Sequence, residues 1–123
     1  MKKALLSTLL MTLTMFNLFG QKKSNTNKTE YKFKEAENTA CFVCDHVLSK
    51  QRPILYATHD KEDGSWQFLC GQDDHTDANA KIISLKKAIE IDLTINDLYE
   101  MLLGVGAERK NTKDKWIPFR LQD

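Results

Sequence analysis

Ser65-Trp-Gln-Phe-Leu-Cys-Gly-Gln-Asp-Asp-His-Thr-Asp-Ala-Asn79 is the stretch whose reading decides the fold. Trp66, Phe68 and Cys70 alternate with Gln67 and Leu69, the period of a strand with one face in a core. The apolar run stops at Gly71, and Asp73, Asp74, His75 and Asp77 follow within seven residues. A buried strand thus runs directly into an acidic loop that carries a histidine. The strand half predicts structure, and the loop half predicts a surface.

Upstream, His59 to Gly64 is a polar connection ending in Asp63-Gly64, a strong hairpin signal. Ile54 to Thr58, opened by Pro53, therefore pairs antiparallel with Trp66 to Cys70. Ala40 to Leu48, rich in apolar and β-branched residues, reads as a first strand. Downstream, Lys81 to Leu85 reads as a short fourth strand or the lead-in to a helix. Ser84 is a helix N-cap, with Leu85, Ala88 and Ile89 on one face. Thr94 with Asp97 approximates a capping box before Ile95, Leu98, Met101 and Leu102, and Gly104 and Gly106 end that helix. Ala107 to Arg109 and Trp116 to Phe119 suit a closing hairpin, with Pro118 confining the last piece to an edge. The expected class is α+β: a small, mainly antiparallel sheet with two short helices on one face.

The chain has 123 residues, 41% hydrophobic and 28% charged, enough for one small domain and an extra segment. The extra segment is N-terminal. Lys2 and Lys3 precede an uncharged run from Ala4 to Gly20, the layout of a secretory signal peptide over residues 1–20. Its 17 residues are fewer than the roughly 20 a membrane-spanning helix needs. An uncleaved signal is then the route to a membrane, and the expected destination is the periplasm or the exterior. Residues 21–30 contain Gln21 to Thr29, without an apolar side chain, and read as a flexible tether. The domain occupies residues 31–123. From Tyr31 onward it has 13 Lys and Arg against 16 Asp and Glu, which argues against a nucleic-acid surface and fits a protein partner.

Three cysteines and three histidines raise the question of a metal. Cys41 and Cys44 form a C-x-x-C with His46 close by, and Cys70 and His75 lie 26 and 31 residues after Cys44. Zinc accepts thiolate and imidazole in a tetrahedron, and Cys41, Cys44, Cys70 and His75 are the candidate set. Against it, positions three apart in a strand point to opposite faces, so Cys41 and Cys44 should diverge. A disulfide from Cys70 to one of the first pair is open if the first and third strands are neighbours. Buried free thiols are equally open. A thioredoxin-like role needs a helix start after the second cysteine, and the sequence shows none at Cys44. Cys70, His75 and Asp73 could in principle form a nucleophilic set, but no motif orders them, and no catalytic signature is present. The expectation is a non-enzymatic domain. Asp73, Asp74 and Asp77 lack the spacing of a calcium loop.

The order Ala-Cys-Phe-Val-Cys-Asp-His-Val-Leu, then Asp-Gly-Ser-Trp-Gln-Phe-Leu-Cys-Gly with acids after it, then Ile-Asp-Leu-Thr-Ile and Gly-Ala-Glu-Arg, resembles bacterial immunity-protein-like domains of unknown function. The likeness covers about Thr39 to Phe119. The family pattern of an aromatic strand ending in Gly before acids falls on Trp66, Phe68, Gly71, Asp73 and Asp74. That resemblance implies a small α+β domain, binding of a protein rather than catalysis, and no obligatory cofactor. The acidic cluster beside an aromatic strand makes Trp66, Asp73, Asp74, His75 and Asp77 the expected binding residues.

Overall fold

The computed structural model describes residues 30–122. The signal and nearly all of the tether read from the sequence lie outside the described residues. Among these, no helix is long and apolar enough to cross a membrane.

Six strands form one sheet: β1 Ala40–Cys44, β2 Tyr56–His59, β3 Trp66–Leu69, β4 Ala80–Ser84, β5 Val105–Glu108 and β6 Ile117–Arg120, in the order β4-β1-β3-β2-β5-β6. The β2–β3 hairpin forms as expected, with His59 opposite Trp66 and Gly64 at φ 71° in the turn. The closing hairpin also forms, and β6, with Pro118, is an edge. The lead-in to the helix proves to be β4, antiparallel to β1.

The expectation of a mainly antiparallel sheet holds for four of the five pairings and misses the fifth: β1 and β3 run parallel, Phe42 beside Gln67 and Val43 beside Phe68. The connection after the first strand makes room for this pairing. The first strand does not extend to Leu48; it stops at Cys44, and Asp45–Leu48 form one helical turn, α1, with Cys44 at its N-cap. A helix start therefore does follow Cys44, contrary to expectation. The acid at Asp45 suits the first turn of a helix. The connection from α1 to β2 skips one position in the sheet, and β3 returns into that gap beside β1.

The second helix, α2 Leu85–Ile91, begins where expected, Ser84 Oγ accepting from the Lys87 N–H at 3.0 Å. The third helical segment, Leu93–Leu98, is a 3-10 turn capped by Asp92 rather than a helix capped by Thr94. Asp92 Oδ1 takes both the Thr94 N–H and its hydroxyl, so the threonine acts as a donor. These helical pieces cover one sheet face and bury Leu85, Ala88, Ile89, Ile95 and Leu98 with Cys41, Val43, Trp66, Phe68 and Ala57. Phe33 closes the core edge-on against Trp66, with ring centroids 4.9 Å apart.

Candidate metal centre

Parallel pairing of β1 and β3 puts their C-terminal ends at the same end of the sheet. Cys44 closes β1, and Cys70 lies one residue past β3. Each strand then turns sharply. Cys44 leads into α1, which carries His46; Gly71, at φ 83°, turns the chain after Cys70 into the loop that carries His75. The glycine is needed for that backbone angle, because a Cβ there would make only ordinary contacts of 3.7 Å with Leu55 and Tyr56.

The loop is pinned at its far end. Asn79 Oδ1 accepts the Thr76 N–H at 2.6 Å, and Asn79 Nδ2 donates to Asp45 Oδ2 on α1 at 3.0 Å. This bond is the main reason the Asp45 carboxyl is held below its usual range. Arg52 holds the near end. Its guanidinium makes a two-pronged pair with Asp74 at 2.9 and 2.8 Å, which depresses the Asp74 carboxyl well below the usual carboxylate range.

Between these two anchors, ligand atoms of Cys44, His46, Cys70 and His75 all lie within 4.8 Å of one another. His46 Nδ1 is 3.1 Å from His75 Nε2, and Cys70 Sγ is 3.4 Å from the same nitrogen. A tetrahedral zinc with its ordinary bond lengths separates two nitrogens by about 3.3 Å and nitrogen from sulfur by about 3.6 Å. These two edges agree within a few tenths of an ångström, while the cluster as a whole spans no more than 4.8 Å. Both sulfurs are buried, and burial pushes the Cys44 thiol up from its ordinary pKa. Asp45 Oδ1 is also buried, accepts no hydrogen bond, and sits 3.4 Å from His46 Nδ1. A cation among these atoms relieves each of these costs at once.

The sequence-derived ligand set is corrected at one position. Cys41 lies outside the cluster, in the core with Val43, and His46 takes the fourth place. Cys41 and Cys44 diverge, as expected for positions three apart in a strand, and the pair that converges is Cys44-x-His46 across the strand end. All three cysteines are unbridged. Of the expected binding residues, His75 is a member of the cluster, while Asp73, Asp74 and Asp77 are exposed on the loop. Trp66 cannot present itself to a partner: it is 1% exposed, stacked on His59 at 3.9 Å, with its N–H given to Glu35 at 2.8 Å. Cys70 and His75 do meet, but among the described residues no hydrogen bond joins Asp73 to them.

No family model, no curated protein and no solved structure matches this chain.

Proposed function

We propose that this chain is a metal-stabilised, non-enzymatic domain that holds one zinc-class ion through Cys44, His46, Cys70 and His75. The observation that carries this reading is the convergence of two thiols and two imidazoles within 4.8 Å at one end of the sheet. A tetrahedral set of two sulfurs and two nitrogens suits zinc among the common divalent ions. Four protein ligands leave no open position for substrate, which favours a structural role over a catalytic one. Arg52, donating to Cys70 Sγ at 3.5 Å, supports the ligand sphere from outside and offsets thiolate charge. The ion would fix the loop from Gly71 to Asn79 to the ends of β1 and β3.

Elemental analysis after metal-replete expression tests the reading. Stoichiometric zinc is expected in the unaltered protein and in Cys41→Ser, with loss in Cys44→Ser and His46→Ala. Zinc at well below stoichiometry in the unaltered protein, or retention in both ligand variants, removes it.

A second reading concerns the surface that the ion would hold in place. Asp73, Asp74 and Asp77 are exposed, with Asp74 paired to Arg52, an acidic face suited to a basic protein partner in an immunity-like role. This reading rests on the loop's exposure and on the sequence resemblance. Reversing the charges of Asp73, Asp74 and Asp77 together should weaken partner capture at low salt; undiminished capture sinks it.

A further inference from the structure

The geometry points to an oxidant-sensitive release mechanism at the same site: hydrogen peroxide converts Cys44 and Cys70 to a disulfide and thereby expels the metal. This inference rests on the metal reading above. Three observations carry it.

The first is proximity. The two sulfurs lie within 4.8 Å of each other at the ends of adjacent strands. Neighbouring strands are spaced about 4.8 Å apart, inside the range of Cα separations that disulfides span. Cys44 is the last paired residue of β1, opposite Ala80, and Cys70 lies just past β3, so a small closing movement falls at the strand ends and leaves the body of the sheet in place. The second is access. A cavity of about 270 Å³ lies against the site, lined by Phe42, Cys44, Leu69, His75 and Asn79 among others. Peroxide, little larger than water, fits such a space. Cys44 lines this cavity and Cys70 does not; Cys70 has the Arg52 guanidinium beside it, fixed in turn by Asp74. Cys44 therefore meets the oxidant first. The third is selectivity. Cys41 is fully buried, its thiol is pushed up to about 12 by burial, and it lies outside the cluster. No third thiol competes for the bond.

The chemistry balances as a two-electron exchange. The metal-bound Cys44 thiolate attacks one peroxide oxygen, breaking the O–O bond and forming a sulfenic acid with release of hydroxide. The Cys70 thiolate then attacks the Cys44 sulfur, forming the S–S bond and releasing a second hydroxide. Two thiolates are oxidised, one peroxide is reduced, and solvent protons take the two hydroxides to water. The ion loses two of its four ligands, and two imidazoles alone bind it weakly. The loop from Gly71 to Asn79 then keeps only its Arg52 and Asp45 anchors.

The test uses the full chain, purified with zinc, exposed to graded hydrogen peroxide with a colorimetric zinc chelator in solution. The expected result is release of zinc in step with loss of about 2 Da from the intact mass. Peptide mapping should place the bond between Cys44 and Cys70, and dimedone added during the reaction should mark Cys44. Cys41→Ser should behave as the unaltered protein does. Zinc retained while thiols oxidise, release with sulfinic acid and no disulfide, or a bridge to Cys41 each overturns the inference and leaves the metal reading standing. Protein that carries no zinc before peroxide is added overturns both.

Discussion

Two polar clusters are built into this small domain, and they differ in how fully they are satisfied. Around Arg109 every guanidinium nitrogen finds an acceptor, although the neighbouring Trp116 Nε1 is buried without one. Its side chain is 1% exposed, yet the guanidinium donates to Ile54 O, Thr94 Oγ1 and Thr112 O and pairs with Asp92 at 2.7 Å, while Trp116 lies against its face at 4.0 Å. At the other cluster, ligand atoms of Cys44, His46, Cys70 and His75 converge within 4.8 Å of one another. His46 Nδ1 alone has an imidazole nitrogen, a carboxylate oxygen and an arginine N–H within 3.4 Å. One proton cannot serve all of those neighbours. A polar network that completes itself ties elements together, whereas one that converges on a shared centre leaves its members competing for the same partners.

The largest effect should come from breaking the closed cluster. Arg109→Ala leaves Asp92 and the Ile54 carbonyl without their partner and should cost about 3–5 kcal/mol in urea unfolding, the range for a buried pair losing one member. Zinc content should not change, because the two clusters share no residue. The open cluster should respond to ligand instead. Adding a strong chelator to protein held at a hundredfold excess of free zinc over its dissociation constant should lower stability by about 3 kcal/mol. Arg109→Ala and chelation should then add, and a marked departure from additivity would mean the clusters are coupled.

Smaller changes sharpen the contrast at the cysteine–histidine cluster. Arg52→Ala removes the donor to Cys70 and should weaken zinc binding by about 10- to 100-fold in a competition assay, with the fold retained. Asp74 contributes through pH. Its carboxyl is depressed by Arg52, so the stabilisation is present above the ordinary carboxylate range and is lost as pH falls through the lower folded value. Acid unfolding followed in chelator, which removes the competing loss of metal, should therefore show a shallower acid limb for Asp74→Asn. The smallest effect is expected at Asp73 and Asp77, exposed and outside both clusters. Changing both to Asn should move stability by no more than about 0.5 kcal/mol and leave zinc bound. A larger loss would assign them to the site.

Much of the fold was legible because it is written in local patterns. Trp66, Gln67, Phe68 and Leu69 alternate as a half-buried strand does, Asp63-Gly64 makes a hairpin turn, and Ser84 caps a helix. The Leu93–Leu98 turn was misread because Thr94 resembles a cap, and only the surrounding residues show that it donates to Asp92 and accepts from Arg109. The site was legible in part. The sequence brought Cys44, Cys70 and His75 forward and placed His46 nearby, but it offered the C-x-x-C pair as the unit.

By itself, then, the sequence determined the strand from Trp66, the glycine-initiated acidic loop after it, and a stock of sulfur and imidazole ligands. These depend on side-chain period and backbone angle, which neighbouring residues set. Only the tertiary structure decided that β1 and β3 lie side by side and run in the same direction, bringing Cys44 and Cys70 to one end with His46 and His75. Strand direction depends on how α1 and the following connection cross the sheet, and on which gap β3 fills. That choice is made by packing over the whole core, and no short stretch of residues encodes it.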